Sequence, residues 1–146
     1  MRAFRLGRDL AVRHAVQPGG DLTPVLKSLG LEVVPWRFRG RLREVIFEGA
    51  IGIEESLPEN WQRWLTAHAI GHHALHTGTS FYLASWQWVN RVKAERQAEE
   101  FAAGLLLPPQ AMNGVGEVRL AARCGVPREK ARWALEKFGP AGDQER

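Results

Sequence analysis

Arg63-Trp64-Leu65-Thr66-Ala67-His68-Ala69-Ile70-Gly71-His72-His73-Ala74-Leu75-His76 is the stretch that decides the fold of this 146-residue chain. Upstream, Ser56-Leu57-Pro58-Glu59 reads as a capping box that opens a helix running to about His76. At about 100° per residue, Trp61, Trp64, Leu65, His68, His72 and Leu75 fall within one apolar stripe. The two histidines therefore sit in the middle of the face that the helix buries. Four residues apart on a helix, they place their Cβ atoms roughly 5–6 Å from each other. Both imidazoles can then reach one zinc ion at about 2.0–2.1 Å.

Downstream, a second helix is expected from about Arg91 to Leu107, stopped by Pro108-Pro109. Its stripe is Ala94, Ala98, Phe101, Ala102, Leu105 and Leu106. Residues 77–92 form the connection and carry Phe81, Tyr82, Trp86 and Trp88. Two short helices around Gly125 follow between Val115 and Phe138, with Pro127 opening the second. On the N-terminal side, a helix near 6–16 is expected. Another runs near 24–29, with Thr23 as N-cap, Pro24 as its first residue and Gly30 as its stop. Leu31 to Val34 reads as a strand that Pro35 confines to an edge or an end. Arg41 to Phe47 and Ala50 to Ile53 are two more strands, with Gly40 and Gly49 supplying turns. Arg37, Arg39, Arg41 and Arg43 alternate, and on extended chain they would share one solvated face. The class is α+β: a small antiparallel sheet packed on a zincin-like helical core. The chain reads as one domain over 1–146, with a C-terminal helical part at 109–139.

Composition narrows the classes. Hydrophobic residues make up 45% and charged residues 25%, the balance of a globular chain with a core to bury. The net charge of +4 admits an acidic partner without requiring one. Cys124 is the lone cysteine, so no internal disulfide forms and a reducing, cytoplasmic setting fits. The arginine-rich N-terminus is followed by no long apolar run, which argues against a signal peptide or a membrane span.

The chemistry centres on the histidine pair. Two imidazoles buried on one face each need a partner, because an orphaned polar group costs about 1–3 kcal/mol. Separate hydrogen bonds could supply those partners; so could one divalent metal. Glu95, Glu99 and Glu100 on the second helix are the candidates for a third ligand. By helical angle Glu95 lies inside the apolar stripe, Glu99 at its edge and Glu100 on the opposite face. A carboxylate facing a core needs a cation or several donors. An arginine would serve, and so would a metal held by His68 and His72. Glu95 is the preferred ligand on that ground. Two histidines, one glutamate and an open position form the ligand set of a catalytic zinc site. His73 and His76 fit less well; His76 lies about 12 Å along the axis from His68 at 1.5 Å per residue. His76 and Tyr82, whose phenol can donate to an oxyanion, are the candidates for contact with substrate.

The metallopeptidase form of this spacing is H-E-x-x-H, with the glutamate as general base. Here that place holds Ala69. The segment from Arg63 to His76 resembles the R-x-T-x-A-H-E-x-G-H-x-x-L-H segment of the ImmA/IrrE family of zinc metallopeptidases, with Leu65 where the family has its threonine. Glu95-Arg96-Gln97-Ala98-Glu99-Glu100-Phe101-Ala102-Ala103-Gly104-Leu105-Leu106-Leu107-Pro108 resembles the family's E-x-x-A-x-x-F-A-A-x-L-L-M-P segment. The resemblance covers roughly residues 20–138. It implies zinc held by His68, His72 and Glu95, in a cytosolic protease that cuts a helix-turn-helix repressor and so releases stress-response or mobile-element genes. Ala69 departs from the pattern, and losing the general base implies a rate loss on the order of 10²–10⁴-fold. Either the chain is a natural pseudopeptidase or a glutamate was replaced deliberately to trap an inactive form; the intact surroundings favour replacement.

Two other classes compete. Leu120 to Pro127 followed by Arg128, Lys130 and Arg132 resembles a helix-turn-helix, so residues 117–138 could meet DNA through phosphate contacts. Against that, Ala131, Trp133, Ala134 and Leu135 suffice to make the second helix a packing helix. A metal-dependent module that holds a regulator or peptide without cutting it would make Ala69 natural and could use the aromatic connection as part of its surface.

Overall fold

A computed structural model describes residues 2–75 and 88–140, with backbone alone at 88–91. The elements follow in the order α1 (Arg2–Arg13), α2 (Thr23–Ser28), β1 (Glu32–Trp36), β2 (Glu44–Phe47), β3 (Ala50–Glu54), α3 (Glu59–Leu75), α4 (Trp88–Leu106), α5 (Pro109–Met112), α6 (Glu117–Cys124) and α7 (Arg128–Phe138). The class is α+β, as expected.

The sheet is mixed rather than antiparallel. Its order is β1-β3-β2, with β1 parallel and β2 antiparallel to β3. The cause is residues 37–43, which carry the chain past the place beside β1 to the far edge. A two-residue hairpin at Glu48 (φ 47) and Gly49 (φ 84) then returns β3 into the middle. Positive φ at both turn positions matches the right-handed twist of the flanking strands. Pro35 sits on the edge strand β1, opposite Ile53, where its missing N–H costs little. Residues 37–43 are not extended, so the four arginines share no face. Arg37 pairs with Glu55, and Arg43 Nη1 donates to the carbonyls of Gly40 at 2.8 Å and Leu42 at 3.1 Å.

The helix ends also depart from expectation. α1 begins at Arg2, nearer the N-terminus than read. Thr23 does not cap α2; its N–H and hydroxyl both donate to Asp21 Oδ1, at 2.9 and 2.7 Å. Gly30 (φ 70) does end that turn, with its N–H bonded to the Lys27 carbonyl at 3.1 Å. The Ser56 hydroxyl donates to Glu54 Oε2 at 2.8 Å, and α3 starts three residues later, so the capping box is not what opens it. α4 stops at Leu106 ahead of Pro108-Pro109, and Pro109 then starts the unforeseen short helix α5. α6 and α7 flank Gly125, which adopts φ 67 as a left-handed cap.

α4 is the central rod of the fold. From Ala98 to Leu106 it is buried at every position but Glu99. α1 crosses it on one side, and the crossing is set by glycine. A Cβ on Gly7 would lie 2.2 Å from the Phe101 carbonyl oxygen, and one on Gly104 2.0 Å from that of Phe4. α3 crosses on another side, where Gly71 comes so near Phe101 that a Cβ would meet its ring at 3.0 Å. β3 is buried at Ile51, Gly52, Ile53 and Glu54 and, with β2, covers α3. At the far end the rings of Phe4 and Phe138 stack with centroids 3.9 Å apart, joining α1 to α7. Arg63 ties two loops to α3: Nε donates to the Cys124 carbonyl at 3.0 Å and Nη1 to that of Gly20 at 2.6 Å.

Candidate metal centre

Crossing near Gly71 and Phe101, α3 and α4 carry His68, His72 and Glu95 to one place. His68 Nε2 lies 3.0 Å from Glu95 Oε2, and His72 Nε2 lies 2.9 Å from Glu95 Oε1. The carboxylate thus offers one oxygen to each imidazole. The two rings meet edge to face, with centroids 4.7 Å apart and planes at 88°. One donor atom from each of the three residues lies within 4.8 Å of the others. Both histidines are buried, while the Glu95 side chain is half exposed and leaves the cluster open on that side.

The electrostatics follow from this packing. Burial opposes charge on His68, yet Glu44 and Glu95 overcome it and raise the imidazole to about 10. Burial likewise works against the Glu95 carboxylate, and hydrogen bonding to His68 and His72 overcomes that, holding it well below the usual carboxylate range. The packing therefore favours a charged His68 beside an ionised Glu95. The donor chemistry fits a divalent cation: two imidazole Nε2 atoms and one carboxylate converge, and one direction stays open. A cation held by His68, His72 and Glu95 would take the place of a proton on His68.

The other two acidic candidates lie apart from this donor set. Glu99 borders it, 3.9 Å from His68 Nε2, but is engaged elsewhere. Its Oε2 accepts the Trp64 indole N–H at 2.7 Å, and its Oε1 pairs with Lys130 of α7. Glu100 does not face away into solvent. It is buried and paired with Lys137 of α7 at 2.6 Å. The single-stripe reading missed this because α4 is covered on several sides, so its opposite face meets α7 rather than water.

Ala69 is fully buried among core side chains. Its methyl group offers no proton acceptor beside His68. His73 is half-buried, and the donor cluster does not include it. His76, Phe81, Tyr82 and Trp86 lie outside the described residues, as does the Trp88 side chain. One residue of the site went unread in the sequence: Glu44 of β2, whose Oε1 lies 2.5 Å from His68 Nδ1. It stands 24 positions before its partner, on a strand whose alternation said nothing of histidine.

The basic residues once offered to DNA make internal contacts. Arg128 and Arg132 both pair with Glu117, at 2.7 and 3.1 Å, and Lys130 pairs with Glu99. Ala131, Ala134 and Phe138 are buried, and Trp133 meets Trp64 edge to face with centroids 6.5 Å apart. α7 is a packing helix that also supports Glu99.

No helix among the described residues is long and apolar enough to cross a membrane. No curated protein matches the chain significantly. A family model does, over residues 36–136, which takes in β2, β3, the histidine helix, the Glu95 helix and most of the C-terminal helices. That span covers more than half of the chain, and the chain therefore belongs to the Peptidase_M78 family, the IrrE N-terminal-like domain, a metallopeptidase-type family.

Proposed function

We propose that this domain holds one zinc ion through His68, His72 and Glu95 and acts on one specific protein, a helix-turn-helix transcriptional repressor, in a cytoplasmic setting. The observation that carries the reading is the convergence of two buried imidazoles on the two oxygens of one carboxylate. When bound, zinc supplies Lewis acidity toward water and a peptide carbonyl. His68 and His72 orient it, and the half-exposed Glu95 leaves an approach for substrate. A metallopeptidase also needs an acceptor for the proton of the attacking water, and the Ala69 methyl cannot be one. The chain as it stands binds its target and cleaves it on the order of 10²–10⁴-fold more slowly than a form with glutamate there.

A second reading has its own support. Ala69 is fully buried in the core, so alanine fits its surroundings as they are. On that reading the domain is a pseudopeptidase that binds a regulator or peptide without cutting it. The engagement of Arg128, Lys130 and Arg132 in internal ion pairs favours either reading over DNA binding.

One experiment separates them. The native chain and Ala69→Glu are incubated with zinc and a helix-turn-helix regulator encoded nearby, and cleavage is followed by mass spectrometry. Cleavage by Ala69→Glu alone is the expected result. Zinc uptake and stable partner binding by both forms, without cleavage by either, selects the pseudopeptidase. Equal cleavage by the two forms removes the general-base assignment.

A further inference from the structure

We propose that Glu44, on the edge strand β2, is a positioning residue that holds the His68 ring with its Nε2 toward the metal. The inference rests on the metal-centre reading above and adds a residue to it from a different element.

An imidazole has two nitrogens, and only one can face the donor cluster. His68 turns Nε2 toward Glu95 and Nδ1 toward Glu44 Oε1, 2.5 Å away. Nδ1 is otherwise a buried nitrogen with no hydrogen-bond partner, and a carboxylate beside it that accepts its N–H would fix the tautomer and leave the Nε2 lone pair for the cation. The contact is protected, since the His68 and Glu44 side chains are only 9% and 18% exposed. It is also rigidly mounted. Glu44 lies opposite Ile53 of β3 in the ladder, and Ile53 is buried in the core. The neighbouring Arg43 spends Nη1 on the Gly40 and Leu42 carbonyls. The strand thus reaches the metal site through one side chain, and the sheet does more than cover α3. A carboxylate behind a ligating imidazole orients the ring and raises its basicity, and losing such a partner typically costs 10–100-fold in metal affinity.

The test uses the unsubstituted chain, Glu44→Gln and Glu44→Ala, with zinc(II) alone as the probe. Zinc Kd is measured by competition against a chelating dye, and the His68 Nδ1 proton is followed by NMR of the zinc-loaded, ¹⁵N-histidine-labelled protein. Glu44→Ala is expected to raise Kd roughly 10–100-fold and to expose the Nδ1 proton to exchange. Glu44→Gln, whose carbonyl still accepts that proton, falls between Glu44→Ala and native. If Glu44→Ala fails to fold, the near-isosteric Glu44→Gln carries the test: weakened zinc binding together with a shifted Nδ1 resonance supports the proposal. A purely structural Glu44 would lower thermal stability and leave Kd and the Nδ1 resonance alone. Kd values within twofold of native for both folded variants overturn the proposal while the metal centre stands. A native chain that takes up no stoichiometric zinc overturns the metal-centre reading itself, and this inference with it.

Discussion

α4 meets α1 and α3 in opposite ways. Against α1 it presents glycine and backbone: Gly7 and Gly104 let the two helices touch main chain to main chain. Against α3 it presents chemistry: Glu95 between two imidazoles, and Glu99 on the Trp64 indole. The first contact is shape alone and sets where α4 lies. The second is donor geometry and works only because the first has fixed the rod. The metal centre is therefore as well defined as a crossing that carries no functional group.

Breaking the shape side should give the largest effect. Alanine normally gains about 1 kcal/mol over glycine inside a helix. Gly104→Ala should reverse that sign, because its Cβ would lie 2.0 Å from the Phe4 carbonyl oxygen, and backbone cannot swing aside. A loss of about 3 kcal/mol is expected from overpacking of this kind, measured by urea unfolding. Gly71→Ala should cost less, about 1 kcal/mol, since its Cβ meets the Phe101 ring at 3.0 Å and a side chain can give. Equal losses for the two would remove the distinction between backbone and side-chain contact.

The next pair separates the two faces of α4 by residue. Glu95→Gln should weaken zinc binding and, by removing the carboxylate that His68 and His72 face, also lower the unfolding midpoint of the metal-free protein. Glu100→Gln should leave zinc binding unchanged and cost about 1 kcal/mol of stability. That figure is well below the cost of breaking a fully buried pair, because Lys137 is 36% exposed and water screens the interaction. Zinc titration and denaturation of both variants check it; the reverse pattern would mean that Glu100 and not Glu95 faces the metal.

The smallest effect lies in the sheet. Glu54 accepts hydrogen bonds from the Phe38 N–H at 2.8 Å, the Ser56 N–H at 3.1 Å and the Ser56 hydroxyl at 2.8 Å. These hold its carboxylate below the ordinary value of 4.5. A folded pKa lowered in this way means the stabilisation is present above the unfolded value and disappears as pH falls through the folded one. Glu54→Gln should therefore unfold earlier than native at pH 7, with the difference narrowing as pH falls below the ordinary value of 4.5 and closing through the lower folded value. A difference that persists into acid would show that packing, not charge, is what the substitution disturbs.

The comparison also explains what could be read in the sequence. The side of α4 that carries chemistry declared itself, because histidine spacing and a carboxylate inside an apolar stripe are rare enough to mean something. Leu31 to Val34, Pro35 at an edge and the helices around Gly125 were legible from local turn and breaker chemistry. Gly7 and Gly104 gave no warning, since a glycine pair 97 positions apart has no periodicity. Glu100 was misplaced because the amphipathic argument assumes one buried face, and α4 has several. Glu44 was invisible because register, not spacing, brings it to His68. Ser56 fits a capping pattern, yet a nearby carboxylate, Glu54, claims its hydroxyl first.

The stacked rings of Phe4 and Phe138 carry a consequence for how the chain is made. α1, with Phe4 and the Gly7 crossing face, leaves the ribosome before the elements it packs on. Its partner Gly104 on α4 follows 97 positions after Gly7, and Phe138 on α7 follows 134 positions after Phe4. At 5–20 residues per second the wait is on the order of ten seconds, during which that face has nothing native to cover it. α1 and α7 are thus the pair whose meeting waits longest, and a nascent chain stalled before Phe138 leaves the fold open at that seam.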